Sequence, residues 1–361
     1  YEQSNNEGIS CSYLAASISH HGRPREMGRG SNYVIWEEKK QVDPFRGISR
    51  LVELTREWFG CAWCSHGGHL LPSQESSVHL FNGIVTLADW VGSDERYFPL
   101  ITGSGNDYTK RFRESRSRAK DVMEKIGITC KSARCHFVSK SRDFESVFGF
   151  SPRSAQSCVS NLACSNSGSL TILEASTGSG KTEAALERYF RLFEKGLVDG
   201  IYFALPTRTA ATQIHERVVK VVESAFPDQT RRPPVLLAVP GYLRVDSVAG
   251  YKLPGFEVLW NDDASARWRY RGWAAENPKR YLAGSIVVGT IDQVLLSHLT
   301  VPHSHLRAAG LLRLLIVVDE VHSSDSYMNE ILAQVLHWHE KCGGHSLLMS
   351  ATLLAETRNM F

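Results

Sequence analysis

The residues best placed to do chemistry lie in one short run, Glu174-Ala-Ser-Thr-Gly-Ser-Gly-Lys-Thr182, preceded by the apolar Leu170–Leu173 and followed by the helix-forming Glu183–Phe193. A strand, a glycine-rich turn and a helix start, in that order, can wrap phosphate oxygens. Thr177, Gly178, Ser179 and Gly180 would present backbone N–H groups inward, because glycine reaches conformations that other residues avoid. Lys181 would reach the β- and γ-phosphates of a nucleotide, and the Thr182 hydroxyl would bind Mg²⁺. Further on, the apolar Leu314–Val318 ends in the paired acids Asp319 and Glu320. Asp319 can hold the same Mg²⁺ while Glu320 polarises an attacking water, so Lys181, Asp319 and Glu320 form a candidate catalytic set for ATP hydrolysis. Ser350 and Thr352, in the Ser-Ala-Thr that follows Leu347–Met349, can bond these acids and couple nucleotide state to the rest of the fold.

Such groups need a rigid frame. From Ser169 onward, short apolar runs alternate with longer helical stretches: Leu170–Leu173, Ile201–Leu205, Val235–Val239, Ile286–Val288, Leu314–Val318 and Leu347–Met349. Continuous apolar strands separated by helices predict a parallel sheet covered on both faces, with ligands at the carboxyl ends of its strands. Residues 1 to about 100 carry helix-like apolar spacing (Leu51, Leu54 and Trp58, then Ile84, Leu87, Ala88 and Val91) and read as a helical unit. Between the two, Lys110, Arg111, Arg113, Arg116, Arg118 and Lys120 make a basic segment, read as a solvated helix followed by a linker.

Bulk composition says little about partners. Lys and Arg number 41 against 38 Asp and Glu, so nucleic-acid binding must be argued from local sites. No apolar stretch reaches the eighteen or so residues of a membrane span, and the first forty residues lack a signal peptide's basic start and apolar core. The eight Cys are then expected as reduced thiols and the protein as cytoplasmic.

The phosphate loop, the Asp319-Glu-Val-His322 run and Ser350-Ala-Thr352, in this order, resemble motifs I, II and III of superfamily 2 helicases. Leu205-Pro-Thr-Arg-Thr-Ala-Ala-Thr-Gln213 and Val288-Gly-Thr-Ile-Asp-Gln293 resemble that superfamily's nucleic-acid-contacting motifs. Thr207, Arg208, Gly289, Thr290, Asp292 and Gln293 become candidate contacts to a sugar-phosphate track, because strand-to-helix junctions favour phosphate. Plain capping of a surface helix is the other reading of Thr207 and Arg208. The resemblance also offers Gln156, in Phe150-Ser-Pro-Arg-Ser-Ala-Gln156, as an adenine reader.

Trp273-Ala-Ala-Glu-Asn-Pro-Lys-Arg280, Val288-Gly-Thr-Ile-Asp-Gln-Val-Leu-Leu296 and Asp325-Ser-Tyr-Met-Asn329 narrow the likeness to the CRISPR-associated nuclease-helicases of type I systems. That family implies an HD-type nuclease ahead of the motor. Ile18-Ser-His20-His21-Gly22-Arg23-Pro24 looks like its paired-histidine motif, and Gly83-Ile-Val-Thr-Leu-Ala-Asp89-Trp90 looks like its terminal aspartate motif. His20, His21 and Asp89 are therefore candidate ligands for a transition metal, with Fe, Mn, Ni or Co suited to imidazole and carboxylate donors. The family's further His and His-Asp ligands should precede His20. Nineteen residues cannot hold them, so the chain is expected to be an internal fragment.

The expected architecture is an α/β RecA-like parallel-sheet motor preceded by a partial all-α HD-type domain. Residues 1–105 would form the partial nuclease domain, 106–160 a basic helix and linker, and 161–361 the first motor domain. The expected function is ATP-dependent translocation on single-stranded DNA coupled to metal-dependent nicking. A CRISPR surveillance (Cascade-type) complex is the partner implied by the resemblance, and no membrane is involved. The alternatives are a DExH-type helicase without nuclease, or an ATP- and DNA-binding module without turnover. Two stretches stay open. Cys61-Ala-Trp-Cys64-Ser-His66-Gly-Gly-His69 is spaced too tightly for an ordinary zinc finger and reads as a loop with two thiols. Trp268–Trp273, with Arg267, Arg269 and Arg271, suits either base stacking or helix packing.

Overall fold

The structure is a computed structural model that describes residues 11–22, 43–63, 71–100, 107–139, 143–254, 258–260, 267–321, 326–352 and 355–361. The chain divides into two compact units, Tyr1–Asp121 and Val122–Phe361. In the first, described helices are α1 (11–18), α2 (Pro44–Trp58), α3 (Glu75–Gly92) and most of α4 (Tyr108–Lys125). Asp43 caps α2 by accepting from the amides of Phe45 and Arg46, which satisfies donors that the first turn leaves open. Helix α1 lies on α3. Tyr13 meets Phe81 edge-on with centroids 5.1 Å apart, and its hydroxyl donates to the Pro72 carbonyl. Buried Thr86 donates its hydroxyl to the His20 carbonyl at 3.1 Å, tying the turn after α1 to the middle of α3.

Among the described residues, the second unit is built on a nine-stranded sheet in the order β1-β9-β8-β2-β7-β3-β4-β5-β6. Six strands, β1 (Ser169–Glu174), β9 (His345–Ser350), β8 (Leu314–Asp319), β2 (Gly200–Leu205), β7 (Ile286–Thr290) and β3 (Val235–Ala238), pair in parallel. Each corresponds to one of the apolar runs read from the sequence; β9, β8, β2, β7 and β3 are buried almost throughout and so are apolar, while β1, at the end of the sheet, is partly exposed. The short strands β4 (Arg244–Val245), β5 (Val248–Lys252) and β6 (Val258–Trp260) extend the sheet antiparallel beyond β3. The apolar pattern does not reveal them: two to five residues each, they carry too little periodicity to stand out. Helices α8 (Lys181–Glu194) and α9 (Arg208–Ala225) pack on this frame.

The expected linker needs correction. The unit boundary falls after Asp121, and most of 122–160 belongs to the motor unit. Helices α5 (Lys131–Ser139), α6 (Phe144–Phe148) and α7 (Ser154–Ser160) occupy it. Phe137 of α5 stacks on Phe190 at 5.3 Å and also meets Phe193 and Phe226. Arg134 donates to the carbonyls of Phe193 and Val198 and pairs with Asp199 at 2.7 Å. Apolar residues are scattered through this stretch without a strand's continuous run, and Cys130, Ala133, Phe137, Val147 and Val159 among them join the core.

Candidate nucleotide and metal sites

Parallel register sets the candidate nucleotide site. Glu174 lies opposite Ser350 and Asp319 opposite Met349, so the loop after β1, the acids after β8 and Ser350 emerge at one end of three neighbouring strands. Leu205 is likewise level with Thr290, which brings both candidate nucleic-acid segments to that end of the sheet. This is where open α/β sheets bind ligands.

Within the loop, Gly178 and Gly180 have φ of 79° and 89°, the left-handed region that glycine enters without penalty. Lys181 starts α8, is 9% exposed, and donates to the Ala175 carbonyl at 3.1 Å. Its ammonium also lies 3.6 Å from Glu320 Oε1. Thr182 is buried beside it. The buried hydroxyl of Ser179 has no hydrogen-bond partner among the described residues. An orphaned hydroxyl, amides freed by left-handed glycines and a lysine together fit a polyphosphate ligand. At the end of β8, the Glu320 amide donates to Asp319 Oδ1 at 3.1 Å, and Glu320 itself has φ 55°. A non-glycine residue held there is strained, and in this conformation its carboxylate lies beside Lys181. His322 and Asp325 lie outside the described residues.

Two side chains from the start of α7 brace the loop. Arg153 donates to the Gly178 carbonyl at 2.8 Å, and buried Gln156 donates to the Gly180 carbonyl at 3.2 Å while accepting from the Arg153 amide. Sequence reasoning missed Arg153. Its signal was its place three residues before Gln156, where an N-cap meets the third helical position. In this structure the Gln156 carboxamide is engaged by its own helix and the loop. Ser350 communicates with the loop through the backbone: its carbonyl accepts from the Ala175 amide at 3.1 Å, and its hydroxyl donates to the Thr352 carbonyl.

The candidate nucleic-acid residues separate into two groups. Thr207 and Arg208 are exposed at the start of α9, and Asp292 is exposed at the start of the short helix α10 (Asp292–Leu295). The Thr207 hydroxyl accepts from the Ala210 amide, so capping is realised. Gly289, Thr290 and Gln293 are buried. A Cβ on Gly289 would stand 2.5 Å from the Tyr202 hydroxyl, which itself donates to the Thr290 carbonyl at 2.8 Å. Burial pushes the Tyr202 phenol well above its usual pKa, so it remains a donor. The Trp268–Trp273 stretch resolves toward packing. Arg271 is buried against Asp246 at 2.7 Å, and Trp273 is buried beneath the Arg280 guanidinium at 4.7 Å. The side chains of Arg267 and Arg269 lie outside the described residues, as do Cys64, His66 and His69.

In the first unit, the structure brings His20, His21 and Asp89 together, with one ligand atom from each lying within 4.8 Å of the others. His20 Nδ1 contacts the Ser17 carbonyl at 2.6 Å, which assigns the proton to Nδ1 and leaves the Nε2 lone pair available. Nε2 lies 4.0 Å from Asp89 Oδ1. That is too long for a hydrogen bond, yet within reach of one shared ion with bonds of about 2.0–2.2 Å. The donor set fits a transition metal.

Residues 149–353, more than half the chain, match the family described as type III restriction enzyme, res subunit, and the chain belongs to it. Residues 3–98 match the Cas3 HD domain, and an HD domain ahead of such a motor is an order similar to that of the Cas3 nuclease-helicases. The CRISPR-associated endonuclease/helicase Cas3 of Escherichia coli K12 is 32% identical over 285 residues, covering 76% of this chain and 30% of its own length. The CRISPR-associated nuclease/helicase Cas3 of Streptococcus thermophilus is 28% identical over 349 residues, covering 94% and 37% respectively. The chain thus spans about a third of these relatives. Crystal structures of T. fusca Cas3 with AMPPNP and with ATP superpose with TM-scores of 0.66 and 0.67 at 25% and 24% identity. They cover 98% and 99% of this chain and 38% of the T. fusca chain in each case. Among the described residues no helix is long and apolar enough to cross a membrane.

Proposed function

We propose that the chain is the ATP-binding and metal-binding part of an enzyme that pulls on single-stranded DNA and nicks it, working with a CRISPR surveillance complex. The observation that carries the motor half is the 3.6 Å approach of Lys181 to Glu320 between two strand ends. Lys181 and the loop amides neutralise and hold the phosphates, and Glu320 takes the proton of the attacking water. Mg²⁺, held by Thr182 and Asp319, would polarise the bond that breaks. Thr207, Arg208 and Asp292 are the exposed residues at the same sheet end that would meet the sugar-phosphate track. In the first unit, His20, His21 and Asp89 would hold a transition metal, and the bound metal would supply an activated water for phosphodiester cleavage. Support for the partner is the fold likeness, at TM-score 0.56, to a chain in a CRISPR RNA-guided surveillance complex.

The test is a paired substitution in the full-length protein. Lys181→Ala should weaken nucleotide binding by about 2–5 kcal/mol and abolish DNA-stimulated ATP hydrolysis, because it removes a phosphate-facing charge. Asp89→Asn should abolish nicking of circular single-stranded DNA while leaving ATP hydrolysis intact. Wild-type hydrolysis by Lys181→Ala sinks the motor reading, and wild-type nicking by Asp89→Asn sinks the nuclease reading.

A further inference from the structure

Helix α4 is strongly basic. From Lys110 to Lys120 it carries six basic residues and one acid, against a net charge of +3 for the whole chain. All six are exposed. At 3.6 residues per turn, Lys110, Arg113, Arg116 and Lys120 fall within about 120° of one another around the axis. Phe112, Ala119 and Val122 are more buried and lie on a different side. Arg118, outside the stripe, is directed to the Tyr97 carbonyl. Glu114 sits 4.0 Å from Lys110 and is the one carboxylate among these eleven residues.

Beside this stripe stands a group of aromatic rings. Phe112 stacks on Trp58 at 5.0 Å with its plane 1° away, and Phe59 meets Phe112 edge-on at 5.3 Å. Thr109 donates to Glu57, fixing α4 against the end of α2. Phe59 is 53% exposed and Trp63 54% exposed, the latter with the Arg56 guanidinium 5.1 Å from its ring centre. Phe59, against Phe112 of the cationic helix, and Trp63, beside the Arg56 guanidinium, are large rings open to solvent near cations, and they match what an unpaired nucleic-acid strand offers, stackable bases and a polyphosphate edge. An acidic polypeptide would answer the charge and leave the rings unused.

We infer that the stripe Lys110, Arg113, Arg116 and Lys120, with Phe59 and Trp63, is a docking surface for single-stranded DNA on the nuclease unit, separate from the metal ligands and from the motor's contacts. The inference rests on the reading that the protein handles single-stranded DNA. It assigns phosphate contacts to the four cations and base stacking to the two rings, with no sequence preference.

The test uses the full chain and a fluorescein-labelled twenty-nucleotide thymidine strand, with binding followed by anisotropy across a salt series. Replacing all four cations by Gln should weaken binding at least tenfold and flatten the slope of log K against log salt by about 3, at roughly 0.7 for each phosphate no longer neutralised. Phe59→Ala with Trp63→Ala should weaken binding severalfold and leave the slope unchanged, a separation that a general charge effect would not produce. Far-UV circular dichroism and nucleotide affinity should match wild type in both variants. No binding by the wild-type chain overturns the DNA reading and this inference with it. Wild-type binding with an unchanged affinity and slope in the Gln variant overturns this inference alone. Equal competition by polyglutamate of matched charge also overturns it, in favour of a protein partner.

Discussion

The side-chain amide of Gln156 donates to the Gly180 carbonyl at 3.2 Å, and a Cβ built on Gly180 would stand 2.1 Å from that same nitrogen. Loop and brace are therefore fitted to each other, and the fit requires a glycine. Gly180→Ala should fail twice. It forces a φ of 89° on a residue with a Cβ, at about 1–2 kcal/mol, and it drives the amide off its carbonyl. Affinity for ATP should fall at least tenfold in a titration with a fluorescent analogue, about 1.4 kcal/mol. Adding Gln156→Ala removes the obstructing nitrogen together with the brace, so the double variant should bind ATP no better than Gly180→Ala alone. Wild-type affinity in the single variant would show that the loop does not depend on this brace.

Much of this site could be read from residue order alone. Asp319 and Ser350 come directly after apolar runs, and Lys181 follows one across the glycine-rich turn; parallel strands deliver the residues at their carboxyl ends to one edge. The His20, His21 and Asp89 cluster was legible through a family likeness; no spacing rule joins residues nearly seventy positions apart. What stayed hidden was contact between side chain and backbone. Arg153 on the Gly178 carbonyl and Thr86 on the His20 carbonyl leave no periodic trace. The packing of Gly289 against the Tyr202 hydroxyl, which donates to the Thr290 carbonyl, also leaves no trace in residue order.

In the first unit, Asp89→Asn keeps the shape of the side chain and removes its charge. His20 stays oriented by the Ser17 carbonyl, so the imidazole pair should persist. Affinity for Co²⁺ or Mn²⁺ should drop by more than the roughly 10–100-fold typical of losing an outer-shell partner. The visible absorption of bound Co²⁺ reports this directly. Equal Co²⁺ affinity in the variant would remove Asp89 from the centre.

Two buried histidines make the motor unit acid-sensitive. Burial lowers His215 to about 4, and burial lowers His339 to about 4 as well. His339 sits against the Ser346 hydroxyl and the Leu311 carbonyl, contacts that a neutral ring satisfies. The unfolded chain takes up these protons near the ordinary value of 6.5, before the folded chain does. Their contribution to stability is thus fully present above 6.5 and declines as pH falls from 6.5 toward 4. Each histidine accounts for on the order of 3 kcal/mol at most. Urea unfolding at pH 7.5, 6, 5 and 4.5 should show this decline, and His339→Gln should flatten it. A variant as acid-sensitive as wild type would place the titration elsewhere.

The boundary after Asp121 can be tested by shortening the chain. A chain of residues 161–361 holds every apolar run of the parallel sheet, and by sequence pattern it should suffice. The structure says otherwise, because Phe137, Val147 and Val159 are members of the motor's core and Phe190 packs directly on Phe137. Removing residues 122–160 uncovers Phe190, Phe193 and Phe226, and each large apolar side chain returned to water forfeits about 1.5–3 kcal/mol. It also strips Arg134 from the Phe193 and Val198 carbonyls, and takes Gly127 and Ile128 away from Arg313. Losses of that size rival the roughly 5–15 kcal/mol that holds a typical domain together. Residues 122–361 should unfold in urea as one cooperative transition, while 161–361 should aggregate or show none. Phe137→Ala in the longer chain should cost about 3–5 kcal/mol, in line with other large core truncations. If 161–361 unfolded cooperatively at the same urea midpoint as 122–361, helices α5 to α7 would be a linker after all.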